Sequence, residues 1–259
     1  MILFNLSVIL QLRGKYNMSD ILRKRCKSLR LAYVADLYEK IPFENPEQYV
    51  TALLEQELEL RELARGERNL KKAKFINEKE LETYQWNGHI RFPPQLDQKE
   101  LESLAFIQQK QNVVLSGSPG TGKTHLVTGL GRKACRNGYE VRFYRVADLM
   151  ALLEKHWREG RFESFRRKFD KVDMIILDEM GYVPFSKEGA ECLFQLISDW
   201  YERRSLVITS NLEFSQWNRM FIDSRLTAAL VDRVIHHAHV LSFTGDSYRV
   251  NHALSMRNN

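Results

Sequence analysis

The 259-residue sequence contains little cysteine and no long hydrophobic run. Its three cysteines, Cys26, Cys135 and Cys192, are odd in number, widely spaced and free of any Cys-x-x-Cys pair. This pattern argues against a disulfide framework and against a zinc site, and it is typical of buried thiols in a reducing compartment. We therefore expect a cytoplasmic protein.

One apolar run, residues 2–12, lies near the N-terminus. No basic residues precede it and no small-residue cleavage site follows it, so it does not match a signal peptide. It is also too short to span a bilayer, and we expect no membrane association. Because Met18-Ser19-Asp20 opens a segment with helical patterning, we interpret residues 1–17 as an upstream extension of a chain whose translation starts at Met18.

The composition indicates neither disorder nor a membrane class, since 44% of the residues are hydrophobic and 28% are charged. The length exceeds that of a usual single domain, which predicts one α/β domain with a smaller second domain. The formal net charge of +6 favours a polyanionic partner such as nucleic acid, although proteins of many other classes are equally basic.

The N-terminal part has the pattern of helices. Apolar residues recur at helical spacing from residue 19 to about residue 70, and the pattern breaks at 41–46. At this break Asn45 before Pro46 resembles an N-cap followed by a first-turn proline. The segment 86–94 contains glycine and paired prolines, which indicates a linker. We therefore predict a helical domain at 18–94 and a second domain at 95–259.

In the second domain, apolar runs alternate with helical segments. This rhythm predicts an α/β fold with a mostly parallel sheet covered by helices. The expected strands are 112–116, 141–146, 174–178, 206–210 and 240–243.

A glycine-rich loop joins the first of these strands to a helix. It consists of Gly117, Ser118, Pro119, Gly120, Thr121, Gly122, Lys123 and Thr124, followed by His125. Between a strand and a helix this sequence predicts a P-loop that binds ATP, because backbone amides and the helix N-terminus surround the phosphate oxygens. We expect Lys123 to reach the β- and γ-phosphates and the Thr124 hydroxyl to ligate Mg²⁺.

Two adjacent carboxylates, Asp178 and Glu179, end the strand 174–178 in a manner that resembles the Walker B element of P-loop ATPases. Because side chains alternate along a strand, the two carboxylates project in different directions. We expect Asp178 to hold Mg²⁺ and Glu179 to act as the general base on the water that attacks the γ-phosphate. The alternative is that Glu179 only caps the following turn.

Polar residues also end the strand 206–210. Asn211 resembles the sensor-1 residue of AAA+ ATPases, which orients the attacking water, and Thr209 or Ser210 is a candidate to share the role. The alternative is that Asn211 caps a helix at 215–220.

A helix predicted at 224–237 carries Arg225 near its start and Arg233 near its end. Arg233, within an Asp-Arg pair, matches the arginine finger of the helicase-loader branch of AAA+ proteins, which one subunit donates to the γ-phosphate of its neighbour. Arg225 competes for this role, and a surface salt bridge is the alternative for either arginine. A finger that acts in trans implies a homo-oligomer.

Together these motifs resemble the IstB-like ATPase helpers of insertion-sequence transposition. The blocks Asp232-Arg-Val-Ile-His-His-Ala-His-Val-Leu241 and Thr244-Gly-Asp-Ser-Tyr-Arg249 carry the resemblance more specifically than the P-loop, and the likeness spans most of the chain. It implies a P-loop NTPase with an AAA+ core whose ATP-bound subunits assemble on double-stranded DNA, recruit a cognate transposase and stimulate it. A replicative helicase loader is the related alternative.

The chain departs from fuller AAA+ proteins after the second block. Because the sequence ends soon after Arg249, we expect no C-terminal helical lid of the usual kind, and Arg249 is a candidate for a contact of the sensor-2 type.

Three basic segments, 23–30, 71–74 and 156–171, are candidates for DNA contact. The last segment contains four aromatic residues at helical spacing, Trp157, Phe162, Phe165 and Phe169, and this spacing is more typical of a core than of base stacking. We therefore expect phosphate contacts from the neighbouring arginines instead: Arg158, Arg161, Arg166 and Arg167. No motif for base-specific readout is present, which predicts weak sequence preference and strong salt dependence.

Two function classes compete with a DNA-stimulated ATPase. A small-molecule kinase needs an acceptor pocket and an arginine-bearing lid, and the sequence indicates neither. A non-catalytic scaffold would use ATP only for assembly. The histidines at 236, 237 and 239 do not predict a zinc site, because no cysteine or fourth ligand of suitable spacing accompanies them.

Overall fold

The computed structural model describes residues 18–43, 45–86, 88–182, 184–221 and 223–248. The expectations for residues 1–17 and for Arg249 lie outside these residues. The chain divides into two compact units, Met1–Arg65 and Gly66–Asn259. Residues 66–94, which we expected in the helical domain, group with the second unit, and a domain boundary near residue 94 stays a prediction.

The first unit is helical, as the sequence predicts. It contains α1 (Met18–Ser28), α2 (Val34–Leu37) and the N-terminal part of α3 (Pro46–Ala73). The N-cap expected before Pro46 is present, because Asn45 Oδ1 accepts the backbone N–H of Gln48 at 2.9 Å.

A buried carboxylate, Glu57 on α3, organises the start of α2. It accepts the backbone N–H groups of Ala32, Tyr33 and Val34 at 2.6 to 2.9 Å, together with Arg61 Nε at 2.6 Å. The first N–H groups of a helix lack partners within the helix, so this carboxylate satisfies them. Burial alone raises the pKa of Glu57, but these donors outweigh it and lower the pKa below its usual value.

The second unit is built on one sheet, which within the described residues has six strands. They are β1 (Ile90–Arg91), β2 (Asn112–Gly117), β3 (Val141–Arg145), β4 (Met174–Met180), β5 (Ser205–Ser210) and β6 (Ala238–Phe243). Their order is β1-β6-β2-β5-β4-β3, and all neighbours are parallel except β1 and β6. This confirms the predicted parallel sheet.

Strand β1 lies in the segment 86–94, where we expected only a linker. Ile90 pairs with Phe243 and Arg91 pairs with Ser242. Two residues are too few to show the alternation of a strand, and their hydrogen-bonding partners lie far away in the sequence. The linker expectation was therefore wrong for Ile90 and Arg91.

Helices cover both faces of the sheet. They are α4 (Gln98–Ser103), α5 (Ala105–Gln108), α6 (Lys123–Arg136), α7 (Val146–Arg158), α8 (Phe162–Arg166), α9 (Lys187–Trp200) and α10 (Ser224–Ile235), with short 3₁₀ helices at Leu81–Thr83, Arg167–Phe169 and Phe214–Arg219. Side-chain caps begin several of them: Ser186 Oγ accepts the Gly189 N–H, and Asp223 Oδ1 accepts the Arg225 N–H.

The apolar core lies on both faces of the sheet. Along β4, Ile175 and Leu177 enter one buried cluster while Met174 and Ile176 enter another, as alternating side chains of a covered strand must. The aromatics Phe162, Phe165 and Phe169 belong to the first cluster, which confirms that they are core residues. Along the described part of the chain, no helix has the length and apolarity needed to cross a membrane.

Candidate nucleotide site

Three neighbouring strands bring the predicted site residues together. Strands β2, β5 and β4 are adjacent and parallel, so their carboxyl ends meet at one edge of the sheet. A cavity of about 730 Å³ lies at this edge. It is lined by the loop residues 119–125, by Glu179 and by 209–211, together with residues from other parts of the chain.

The loop after β2 surrounds its own lysine. Lys123 begins helix α6 and is 8% exposed. Its ammonium group donates hydrogen bonds to the backbone oxygens of Gly117 and Ser118, both at 2.7 Å, and lies 3.3 Å from Thr121 Oγ1. These acceptors hold the charge of Lys123 inside the loop, at the N-terminus of the helix.

Asp178 is 1% exposed and accepts hydrogen bonds from two hydroxyl groups. Thr124 Oγ1 donates to Asp178 Oδ1 at 3.0 Å, and Thr209 Oγ1 donates to the same oxygen at 2.6 Å. Thr124 lies on α6, Asp178 on β4 and Thr209 on β5, so one carboxylate joins three elements. The resulting set of oxygen atoms suits a hard divalent cation.

Glu179 adopts an unusual backbone conformation. Its φ is +64°, and the pairing of β4 with β5 shifts between Leu177 and Met180. At this bulge the two neighbouring side chains differ in environment: Asp178 is buried, whereas 42% of the Glu179 side chain is exposed. The carboxylate faces Arg145 at the end of β3, with Oε2 3.8 Å from Arg145 Nε. Because β4 continues to Met180, Glu179 lies within the strand rather than at the start of a turn.

Asn211 presents a buried acceptor to the same region. Its Oδ1 has no hydrogen-bond partner among the described residues. The 3₁₀ helix that follows begins after Glu213, so the alternative in which Asn211 caps that helix is wrong. Gly181 lies against Asn211, and a β-carbon there would stand 2.8 Å from Oδ1. A buried acceptor without a partner indicates a place for water or ligand.

A segment before β2, residues 77–85, forms one wall of the cavity. The ring of Tyr84 packs against Gly122 and meets the ring of His125 edge-on at 5.2 Å. Burial raises the pKa of Tyr84 to about 12, so its hydroxyl stays protonated at alkaline pH values where an ordinary tyrosine ionises. His125 Nε2 lies 2.9 Å from the backbone oxygen of Glu80, so the ring of His125 contacts the segment 77–85.

The segment after β6 forms another part of the cavity wall. The backbone N–H of Tyr248 donates to Gly120 O at 3.0 Å. Gly120 has a φ of +82°, and a β-carbon there would collide with Ser247 Oγ. The sequence did not indicate that residues 77–85 line the site, because no motif connects them with the loop that they contact. For the segment after β6 it indicated only Arg249, as a candidate sensor-2 contact, and not residues 245–248.

The two candidate finger arginines lie away from this cavity. Neither belongs to the described residues that line it. Arg233 Nη1 donates to Ala229 O at 3.0 Å, and the guanidinium lies 4.7 Å from the centre of the Phe194 ring. Arg225 is exposed at the start of α10.

The basic residues of the segment 156–171 differ in their partners. Arg166 is held by Asp199 through two hydrogen bonds of 2.8 and 2.9 Å and by Glu163 at 2.6 Å, and Arg161 pairs with Glu159. The side chains of Arg158 and Arg167 are exposed.

The core position expected for Trp157 was wrong: this residue lies in the last turn of α7 and is 43% exposed, unlike the three phenylalanines that follow it. It lies beside the exposed Arg158, so an aromatic ring and a cation reach solvent at adjacent positions of α7.

Comparison with known proteins agrees with this geometry. A family model described as IstB-like ATP binding protein matches residues 39–256. The chain is 37% identical over 237 residues to the ATP-binding protein of insertion sequence IS21 from Pseudomonas aeruginosa, covering 89% of this chain and 88% of that protein. It is 35% identical over 209 residues to the ATP-binding protein of insertion sequence IS232 from Bacillus thuringiensis subsp. berliner, covering 80% and 82%.

Among solved structures, AMPPCP-bound DnaA from Aquifex aeolicus is similar in fold. The TM-score is 0.55 at 19% identity, over 71% of this chain and 55% of that one. This similarity concerns the fold alone, and it agrees with the predicted parallel sheet flanked by helices.

Proposed function

The chain belongs to the family of IstB-like ATP-binding proteins, and on this premise we propose that it is a DNA-stimulated ATPase that assists insertion-sequence transposition. A P-loop protein of this family binds nucleotide. The proposal adds hydrolysis of ATP, binding of double-stranded DNA with weak sequence preference, and recruitment of a cognate transposase. The names of the relatives, which are ATP-binding proteins of insertion sequences, support the link to transposition.

The observation that carries the hydrolytic part is the position of Glu179 and Asn211 beside the P-loop cavity. Glu179 offers a partly exposed carboxylate, and Asn211 offers a buried oxygen without a partner among the described residues. A water held by the Asn211 amide would share this cavity with a carboxylate that can take its proton.

The remaining groups bind and neutralise the phosphates. Thr124 and Asp178 would hold Mg²⁺. The ion prefers oxygen ligands, and the Thr124 hydroxyl lies 3.0 Å from Asp178 Oδ1, so the two side chains offer neighbouring oxygen atoms. The ion would neutralise phosphate charge when bound. When nucleotide binds, the Lys123 ammonium group would donate to phosphate oxygens in place of the backbone oxygens of Gly117 and Ser118. Phosphate oxygens carry negative charge and therefore compensate the lysine charge more fully.

Arg233 acts in trans, so the active unit is a homo-oligomer. Its guanidinium is already ordered by Ala229 O and the Phe194 ring. A planar, permanently charged group held in this way stabilises the charge of a neighbour's transferring phosphoryl group.

Release of inorganic phosphate tests the ATPase proposal. We expect hydrolysis that rises on addition of duplex DNA and falls about 10²- to 10⁴-fold in Glu179→Gln, which retains nucleotide binding. Glu188→Gln, on the exposed first turn of α9, is the matched control and keeps wild-type activity. Phosphate transfer from radiolabelled ATP to a metabolite would instead identify a kinase. Full function of Glu179→Gln would identify a scaffold that uses ATP only for assembly.

Co-precipitation tests the partner. We expect the protein to retain the transposase encoded with it and not the replicative helicase; the reverse result would favour a helicase loader. Electron microscopy with duplex DNA, with and without a nonhydrolysable ATP analogue, tests assembly. If no nucleotide-dependent assemblies form on DNA, the oligomeric mechanism is wrong.

A further inference from the structure

A cluster of metal-ligating side chains lies at the opposite edge of the sheet from the P-loop. Glu202 follows α9 shortly before β5 begins, and His236 and His237 lie between the end of α10 and the start of β6. One ligand atom from each of the three side chains lies within 4.8 Å of the others. All three residues are exposed, so a metal ion has free access.

The sequence did not indicate this cluster, because its carboxylate lies 34 residues before the first histidine. The third histidine of the run takes no part. His239 Nε2 lies 2.8 Å from Gln111 Oε1, and burial lowers the pKa of His239. The donor set is therefore two imidazoles and one carboxylate.

A buried side chain fixes the two segments that carry these donors. Asn112 Nδ2 donates to Val234 O at 2.9 Å, two residues before His236. Asn112 Oδ1 accepts the N–H of Leu206 at 2.9 Å, four residues after Glu202. The backbone N–H of Asn112 also donates to His237 O at 2.8 Å. The backbones that present the ligands are thus held in place, and only side-chain rotation is needed to close a site.

The distances from Glu202 to the two imidazoles are near those around a four-coordinate ion. Ligand atoms about 2.0 to 2.1 Å from a tetrahedral Zn²⁺ lie roughly 3.3 Å from one another. Glu202 Oε1 is already 3.2 Å from His237 Nε2, and it is 4.0 Å from His236 Nδ1. Exposed side chains close the second distance by a small rotation. The Tyr201 hydroxyl lies 2.6 Å from His236 Nδ1, and a metal on this atom replaces that hydrogen bond, which lowers the affinity.

We propose that Glu202, His236 and His237 form a binding site for a divalent transition metal of the Zn²⁺ type, with water in the fourth position. Imidazole and carboxylate together are ligands that such ions accept, and an open fourth position fits three protein ligands. The ion joins the segment after α9 to the end of α10, one helical turn beyond Arg233. This proposal does not depend on the proposed ATPase function.

Titration of the untagged, metal-free protein with Zn²⁺ and with Co²⁺ tests the site. We expect one ion per chain in calorimetry, visible absorption of four-coordinate Co²⁺, and a rise in the melting temperature with Zn²⁺ concentration. Binding weakens as the pH falls, because the imidazoles must be neutral to ligate.

Variants separate this site from other histidines. His237→Ala and Glu202→Ala each weaken binding about tenfold or more, since each removes a ligand atom. His156→Ala, which removes an imidazole on α7 outside the cluster, leaves the affinity unchanged. The melting temperature of each metal-free variant shows whether it is folded. Unchanged binding by both cluster variants, or the lack of a one-to-one complex with the wild-type protein, would overturn the proposal.

Discussion

The hydroxyl of Thr209 donates to Asp178 Oδ1 at 2.6 Å and accepts the backbone N–H of Glu179 at 2.9 Å. One side chain on β5 thereby fixes both carboxylate-bearing residues of β4. It also occupies the bulge, where Glu179 has left the regular ladder and its N–H needs another acceptor. The Asp178 carboxylate and the Glu179 backbone are therefore positioned by a residue outside their own strand.

Replacing Thr209 by Val should remove this support. Valine keeps the shape of the side chain but leaves the Glu179 N–H without its acceptor and Asp178 with one hydroxyl fewer. We expect phosphate release to fall about 10- to 100-fold while nucleotide binding persists. Thr209→Ser, which keeps the hydroxyl, should retain most of the activity. Equal activity of the Val and Ser variants would show that the hydroxyl has no positioning role.

Mixing variants should identify the finger arginine. Arg233→Ala and Glu179→Gln should each be nearly inactive, the former by about 10³-fold or more. In a mixture, some Arg233→Ala subunits keep their own base and receive an intact arginine from a Glu179→Gln neighbour, so phosphate release should recover above either variant alone. Arg225→Ala, mixed in the same way, is the comparison. Recovery with Arg225→Ala only would assign the finger to Arg225, and an active Arg233→Ala protein would exclude Arg233.

Substitution of Arg158 and Arg167 should weaken DNA binding. Both side chains are exposed, whereas Arg166 is neutralised by Asp199 and Glu163. We expect the double alanine variant to lower affinity for duplexes of different sequence alike. The slope of log K against log salt should fall by about 2.

Lys99→Ala/Lys187→Ala, which removes the same charge from exposed positions outside the segment 156–171, is the control for this experiment. An equal loss of affinity in both double variants would indicate a net-charge effect and no contact by Arg158 and Arg167.

The ion pairs of Glu80 should make stability depend on pH. The hydrogen bond from Arg136, together with Arg132, lowers the pKa of Glu80 from 4.5 to about 2. A lowered pKa stabilises the fold above the unfolded value, and this stabilisation is lost as the pH falls from about 4.5 to about 2.

In urea unfolding at neutral pH, Glu80→Gln should lower the free energy of unfolding by about 1 to 2 kcal/mol, since partial exposure screens the pairs. The difference from wild type should shrink toward pH 2. Glu78→Gln, at an exposed position two residues earlier, should have little effect at either pH. A difference for Glu80→Gln that did not change with pH would contradict an electrostatic origin.

Features carried by contiguous residues were predictable. The five long strands begin or end within two residues of their expected limits, because continuous apolar runs mark strands that are covered on both faces. Other expectations failed, among them the core position expected for Trp157. Strand β1 is too short to have a pattern, and the capping role considered for Asn211 failed because the following 3₁₀ helix begins after Glu213.

The P-loop, the Asp178–Glu179 pair and the family were readable from the amino-acid sequence, because each depends on residues that are close in the chain and on backbone geometry that is local. The fold was needed to show that Thr209 supports Asp178, that Tyr248 contacts Gly120, and that Glu202 meets two histidines. These contacts join distant segments, and their geometry follows from strand order and helix packing, which a linear motif does not encode.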